Sequence, residues 1–380
     1  MNPKLYPLAF GTFAAGTGMF VMAGLVLPIS HDFGVSPSAA GQFMTIFALA
    51  YAILSPVLAA VTAKVSRKRL LLIALAVYAA GNLLTAIAPA YGMALGTRVL
   101  AAAGAAILTP TASSVASALT PPEHRGRALA LVLGGLTVSS AIGVPLGTWI
   151  GASNWRSTMW LVVAFSVVAF VAIAAVVPET RLPSSGRLLD RFTPLGDRRV
   201  LAVLLSQLII FAAVFTSYTY LGTLFDLPLT AVLWAFGVGG VIGNQVGGRL
   251  TDRYGPRVMV FAGMAGATIA MALIPVAGVA LVVALVWAFL WGAIGWLIGP
   301  AQQYRLVGAV PDNVPVGLGL LSSAQYLGIF VAGGAGGLVL DWYGKAGVIS
   351  LATALGLVAL LFTATTYRSQ AAAAPEPARA

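Results

Sequence analysis

Charged residues divide this chain into long uncharged runs. Stretches without Asp, Glu, Lys or Arg cover residues 5–30, 33–63, 70–97, 99–122, 128–155, 157–178, 200–225, 227–248, 258–304, 313–340 and 346–367. A helix needs about 20 mostly apolar residues to cross a bilayer, so ten of these runs predict one span each. The run 258–304 is long enough for two, with the break predicted at IPVAG, residues 274–278. The pattern therefore predicts an all-α membrane protein of twelve transmembrane helices. A barrel is the other way to satisfy backbone polar groups in lipid, but its period-two alternation is missing. The first run is longer than a signal-peptide core and lacks a small-residue cleavage site, so it is expected to be retained as the first span.

The longest hydrophilic connection, PETRLPSSGRLLDRFTPLGDRR at 178–199, falls near the chain midpoint. It predicts an N-terminal six-helix bundle over 1–178, a linker over 179–199, a second bundle over 200–367 and a disordered tail over 368–380. With twelve spans, 18 of the 21 Lys and Arg fall on the side of the termini; Arg156 and Lys345 fall on the other, and Arg98 falls inside a span. By the positive-inside rule both termini are expected to be cytoplasmic, in a bacterial plasma membrane. The net charge of +11 is thus a topology signal, and nucleic acid is not expected as a partner. At 59% hydrophobic and 8% charged, the chain has too little polar surface for a soluble globule. Cysteine is absent, which removes disulfides and thiolate metal sites from consideration.

The two halves carry traces of a duplication. GRLTDRYGPRV begins at Gly248 after the eighth predicted span, and AVTAKVSRKRL begins at Ala59 after the second. In alignment Asp252 falls on Ala63, Gly255 on Ser66 and Arg257 on Lys68, so the first copy keeps the positive charge but neither the acid nor the second glycine. The pattern G-x-L-x-D-R-x-G-x-R, together with twelve spans in two halves, closely resembles the major facilitator superfamily along essentially the whole chain. RVLAAAGAA from Arg98 looks like that family's fourth-helix arginine motif, with the first expected glycine displaced to Gly104. GGLTVSSAIGVPLG from Gly134 looks like the glycine-proline motif of its exporting, antiporter branch. TPPEHRGRALAL and the opening FGTFAAGTGMFVMAGLVLPISHDFGVS are similar to bacterial exporters of drugs, sugars and nucleosides.

The resemblance implies alternating access between two bundles, with a small-molecule substrate and protons as the coupling ion. In that frame Gly248, Asp252, Arg253, Gly255 and Arg257 form a gating latch; the alternative is a basic loop that only sets topology. Arg98 is the one charge deep in a span, and such a cation is a functional candidate unless it snorkels or caps carbonyls. Gly143, Pro145 and Gly147 form a hinge or seal, or ordinary small-residue packing. Spans 1, 4, 7 and 10 surround the path in the family's folds, which makes Thr17, Phe20, Phe211, Phe215, Tyr218, Trp287 and Trp291 substrate-binding candidates, with Gln42, Asn244, Gln245, Gln325 and Tyr326 as polar ones.

All ten acids lie in loops or at predicted span ends, where related exporters often carry an acid in the first span. Asp32, His31 and Asp226 remain as coupling candidates, and an uncoupled uniporter or uptake carrier is the first alternative. A sensor or assembly partner is the second, disfavoured because no extramembrane domain is predicted. No metal cluster, phosphate loop or nucleophile motif stands out, so neither a cofactor nor an enzyme activity is expected. A monomer is expected.

Overall fold

The computed structural model describes residues 2–180, 192–310 and 314–372. Most of the expected linker and the end of the expected tail, with Asp190, Asp312 and Glu376, lie outside the described residues. In the first half the helices are α1 (Tyr6–Phe20), α2 (Met22–Phe33), α3 (Pro37–Val61), α4 (Arg67–Ile87), α5 (Tyr91–Ala118), α6 (Arg125–Val138), α7 (Val144–Gly151) and α8 (Trp155–Val176). The second half has α9 (Arg198–Thr219), α10 (Leu221–Leu224), α11 (Leu229–Ala272), α12 (Ile274–Ala277), α13 (Leu281–Trp296), α14 (Ile298–Ala309) and α15 (Val314–Ala372). The break predicted at 274–278 coincides with the short α12.

Nine helical runs among the described residues are long and apolar enough to cross a membrane, or ten when α1 and α2, bent by 46°, count as one. Two of them exceed a single crossing. At 44 residues, α11 would measure about 66 Å if straight, against a hydrocarbon core of about 30 Å. Both α11 and the 59-residue α15 contain a glycine with positive φ, Gly255 at 82° and Gly344 at 63°. Nothing lies within 4 Å of where their Cβ atoms would be, so the dihedral angle requires glycine there, not crowding. The expectation of twelve spans counts the two arms of each broken helix separately.

Three groups of helix contacts join the halves: α3 packs against α15, α11 packs against α6, α7 and the turn between them, and α2 packs against α9, α10 and α11. That turn, Ser139–Gly143, is a π-helical segment. Pro145 follows it without an N–H to give to residue 141, and Val144 N–H reaches back to the Ser139 carbonyl. The expected proline kink is therefore a local widening of the helix, placed where the second half packs on the first.

Contacts between connections identify the two ends of the molecule. At the end carrying the termini, Asn2 donates to the Leu119 carbonyl and the Arg257 guanidinium covers the Tyr367 ring. At the opposite, far end, Arg156 joins Asp32 and donates to the Ala88 carbonyl at 2.8 Å, tying together α2, α4 and α8.

Candidate functional site

The hydrogen bonds between the halves among the described residues gather toward the far end. Ser38 Oγ donates to Asp341 Oδ2 at 2.5 Å, Gln42 Nε2 to the Gly333 carbonyl at 3.4 Å, and Tyr218 Oη to the Phe20 carbonyl at 3.4 Å. Thr219 Oγ1 lies 3.5 Å from Met44 Sδ. Tyr220, fully buried, is the plug of this seam. Its hydroxyl lies 2.7 Å from the Gly333 carbonyl of its own half and 3.5 Å from the Ser38 carbonyl of the other, and its ring fills a socket of glycines. A Cβ on Gly41 would stand 2.5 Å from the ring, and one on Gly337 2.7 Å from the hydroxyl. Closer to the middle of the spans, Tyr51 on α3 stacks on Tyr326 of α15 with centroids 3.6 Å apart, both buried.

Below the plug runs a continuous aromatic chain. Phe20 meets Phe215 at 6.1 Å across the halves, and Phe215 continues to Phe211 at 5.7 Å and to Tyr218 at 5.4 Å. Tyr218 leads to Phe236 at 5.3 Å, Phe236 to Trp291 at 4.9 Å, and Trp291 to Trp287 at 5.0 Å. Six of the seven candidates named from spans 1, 7 and 10 are thus brought together, and Phe236 completes the chain. Phe236 lay in a span that received no aromatic expectation; the four-residue spacing to Gly240 and the glycines around it were the only signals available. Thr17 is not part of the group. It donates to the Phe13 carbonyl at 2.9 Å and packs α1 against Gly143. Gln42 belongs to the far-end seam, and Gln325 is half-buried beside Tyr326.

Arg98 is the only fully buried charged side chain among the described residues. Its fork reaches two neutral acceptors, Asn82 Oδ1 at 3.1 Å from Nη1 and the Gly18 carbonyl at 2.9 Å from Nη2, while Nε has no partner. The guanidinium sits 4.9 Å from the Phe47 ring centroid, a cation–π contact. Tyr78 adds two more bonds to the same stretch of α1, through the Ala14 and Ala15 carbonyls at 3.2 and 3.1 Å. Together Arg98 and Tyr78 grip α1 just before its bend, drawing on carbonyls near a break in the helix. Tyr78 and Asn82 were missed from sequence, although two polar residues four apart on one span share a face.

The glycine-proline region is an interhelical groove. A Cβ on Gly135 would collide with the Ala9 carbonyl, one on Gly143 with Thr17 Oγ1, and one on Gly147 would lie 2.7 Å from Val21. Gly237 of α11 meets the other side of the π segment, against the Ser140 carbonyl and Ala141. Pro145 is buried within this packing.

The predicted latch lies at the terminal end. Asp252 and Arg253 are exposed, and neither has an ion-pair partner among the described residues. Arg253 covers the Tyr254 ring, Arg257 covers Tyr367, and Gly255 breaks the helix. Gly248 lies in regular helix with open space at its Cβ, so local geometry does not require glycine there. The coupling candidates lie at the far end: Asp32 is held by Arg156 and by Trp155 Nε1 at 3.0 Å, and Asp226 pairs with Lys345 at 3.4 Å. His31 is exposed on a surface cleft with Asp32, away from the central seam.

Known proteins share this architecture. The structure of a bacterial homologue of the human lysosomal transporter Spinster, in an inward-facing and unoccupied conformation, superposes with a TM-score of 0.77 over 100% of both chains at 15% identity. The MFS-type transporter YbcL of Bacillus subtilis is 30% identical over 97% of this chain and 96% of its own. The chloramphenicol resistance protein of Streptomyces lividans is 34% identical over 69% of this chain and 70% of its own. The family model described as Major Facilitator Superfamily matches residues 8–333 and 235–380. A paired-half helical architecture, relatives along nearly the full chain and a family match from end to end agree: this multi-pass membrane protein is a transporter belonging to the major facilitator superfamily.

Proposed function

We propose that the protein exports a lipophilic, drug-like or small-metabolite substrate by proton-coupled alternating access, as a monomer in a bacterial plasma membrane with both termini cytoplasmic. The carrying observation is the one-sided seam: bonds between the halves concentrate at the far end, where Asp341 accepts from Ser38, the Gly333 carbonyl from Gln42 and the Ser38 carbonyl from Tyr220. A two-bundle carrier closed at one end offers its central path to the other, here the end of the termini. The aromatic chain from Phe20 to Trp287 supports a substrate with apolar or planar surface, since such rings supply contact area to lipophilic ligands. A relative named for chloramphenicol resistance makes chloramphenicol a first probe.

In inside-out proteoliposomes, an imposed pH gradient, acidic in the lumen, is expected to drive accumulation of a transported compound beyond equilibrium. Equilibration at the same level with or without the gradient would sink the coupled reading. The second reading, an uncoupled carrier, has its own support: no carboxylate among the described residues is buried, so no membrane-embedded acid is available to cycle between protonation states.

Asp252 stands exposed beside the Gly255 break, as expected of a latch released while the terminal end is open. Its carboxylate then bonds at closure, when the terminal end comes together. Asp252→Asn is expected to lower the transport rate about tenfold, as loss of about 1.4 kcal/mol of closing energy, with membrane insertion unchanged. Wild-type turnover by the variant would remove the latch role.

A further inference from the structure

Three side chains cluster at the terminal end, and one of them, Arg257, also belongs to the expected latch. Tyr367 closes the last apolar run, Val316–Tyr367. Arg305 comes from α14, and Arg257 from the arm of α11 that follows the Gly255 break. The two guanidinium carbons lie 4.5 Å (Arg305) and 5.4 Å (Arg257) from the centroid of the same tyrosine ring. Neither cation has a carboxylate partner: the ion pairs among the described residues are Arg156–Asp32 and Lys345–Asp226. Arg305 Nη1 donates to Gln302 Oε1 at 2.8 Å and to Ser206 Oγ at 3.4 Å, which fixes the side chain. Its Nη2 and the Tyr367 hydroxyl are buried without a partner. Native structures seldom leave buried donors unpaired, and a charged donor is the costliest to leave so.

We propose that Arg257, Arg305 and Tyr367 bind a phosphate group, supplied by the headgroup of an anionic phospholipid in the leaflet on the side of the termini. Guanidinium forks match phosphate oxygens, and Arg305 is held with one fork arm in use and the other buried and unpaired. Arg257 is exposed and marks the entrance; Arg305 and the tyrosine hydroxyl supply donors behind it. All three lie where apolar segments end, which is the depth of lipid headgroups, and basic pockets between spans on that side suit anionic lipids. A lipid headgroup is favoured over a soluble phosphate because Arg257 and Tyr367 border the ends of two apolar runs, where acyl chains lie alongside.

The test uses the full-length protein in neutral detergent, titrated with phosphatidylglycerol, phosphatidylcholine or inorganic phosphate while the thermal midpoint is followed. Phosphatidylglycerol is expected to raise the midpoint and phosphatidylcholine to leave it in place. Arg257→Gln should weaken the phosphatidylglycerol half-point about fivefold, one surface basic residue's share, each titration being read against the variant's own lipid-free midpoint. Tyr367→Phe keeps the ring on which both cations stack and should weaken the half-point as well. Equal shifts with the two lipids, or an undiminished response in Arg257→Gln, overturn the site. A shift of the same size from inorganic phosphate alone would assign the site to a soluble anion and overturn the lipid source.

Discussion

Replacing Gly237 with valine is expected to destabilise the protein by about 3 kcal/mol and to abolish transport, the upper range for forcing volume into a packed core. A side chain at this position would run into the Ser140 carbonyl and the Ala141 backbone of the π segment. Neither can rotate away, because both belong to the main chain. Relief would require α11 to withdraw from α6 and α7, one of the contacts that join the halves. Gly143→Ala is the control. Its new methyl would meet Thr17 Oγ1 and also Thr17 Cβ at 2.9 Å, which no rotamer change moves, so a smaller shift of α1 is needed and a loss of about 2 kcal/mol is expected. Denaturation midpoints in mixed micelles compare the two directly. If Gly237→Val matched the wild type, the close crossing of α11 over the π segment would be wrong.

The second large effect is expected at the plug. Tyr220→Ala empties a socket lined by Gly41, Gly336 and Gly337 and removes the bond to the Gly333 carbonyl. Truncating a buried aromatic costs about 3 kcal/mol or more. Gly333, Gly336 and Gly337 belong to the tyrosine's own half, so the closed state alone loses the contacts to Gly41 and the Ser38 carbonyl, about 1.4 kcal/mol of the total. A difference of about 1.4 kcal/mol multiplies the population of the far-end-open form about tenfold. The natural chain has no cysteine, so a single reporter thiol can be read without background. Thr45→Cys places one on α3 against Gly333, buried within the seam. Its labelling by a membrane-impermeant maleimide from the far side is expected to rise about tenfold in Tyr220→Ala. An unchanged rate would mean that the tyrosine does not hold the seam.

The two predictions differ in how far sequence alone anticipates them. The GGLTVSSAIGVPLG stretch announces close packing, which is present, and beside its proline the helix widens into a π segment. Its partner Gly237 carries no such announcement, being one of 43 glycines. Tyr220, Tyr51 and Tyr78 look alike in sequence, single tyrosines in apolar runs. Yet one plugs the far-end seam, one stacks across it, and one grips the bend of α1. Arg98 shows the reverse. Its isolation among apolar residues marked it out immediately, but not that its partners are an asparagine and a backbone carbonyl instead of an acid.

The sequence by itself determined the membrane class, the approximate spans, the paired halves and the glycine break after Asp252. Each follows from a one-dimensional rule: lipid demands long uncharged runs, and positive φ demands glycine. Only the tertiary structure decided which side chains meet. In a chain this apolar, every face of a helix is hydrophobic, so the periodic contrast that reveals a buried face in a soluble protein is weak. The rotation of each helix is then set by small residues and single hydrogen bonds that join positions far apart in the chain, as Ser38 joins Asp341.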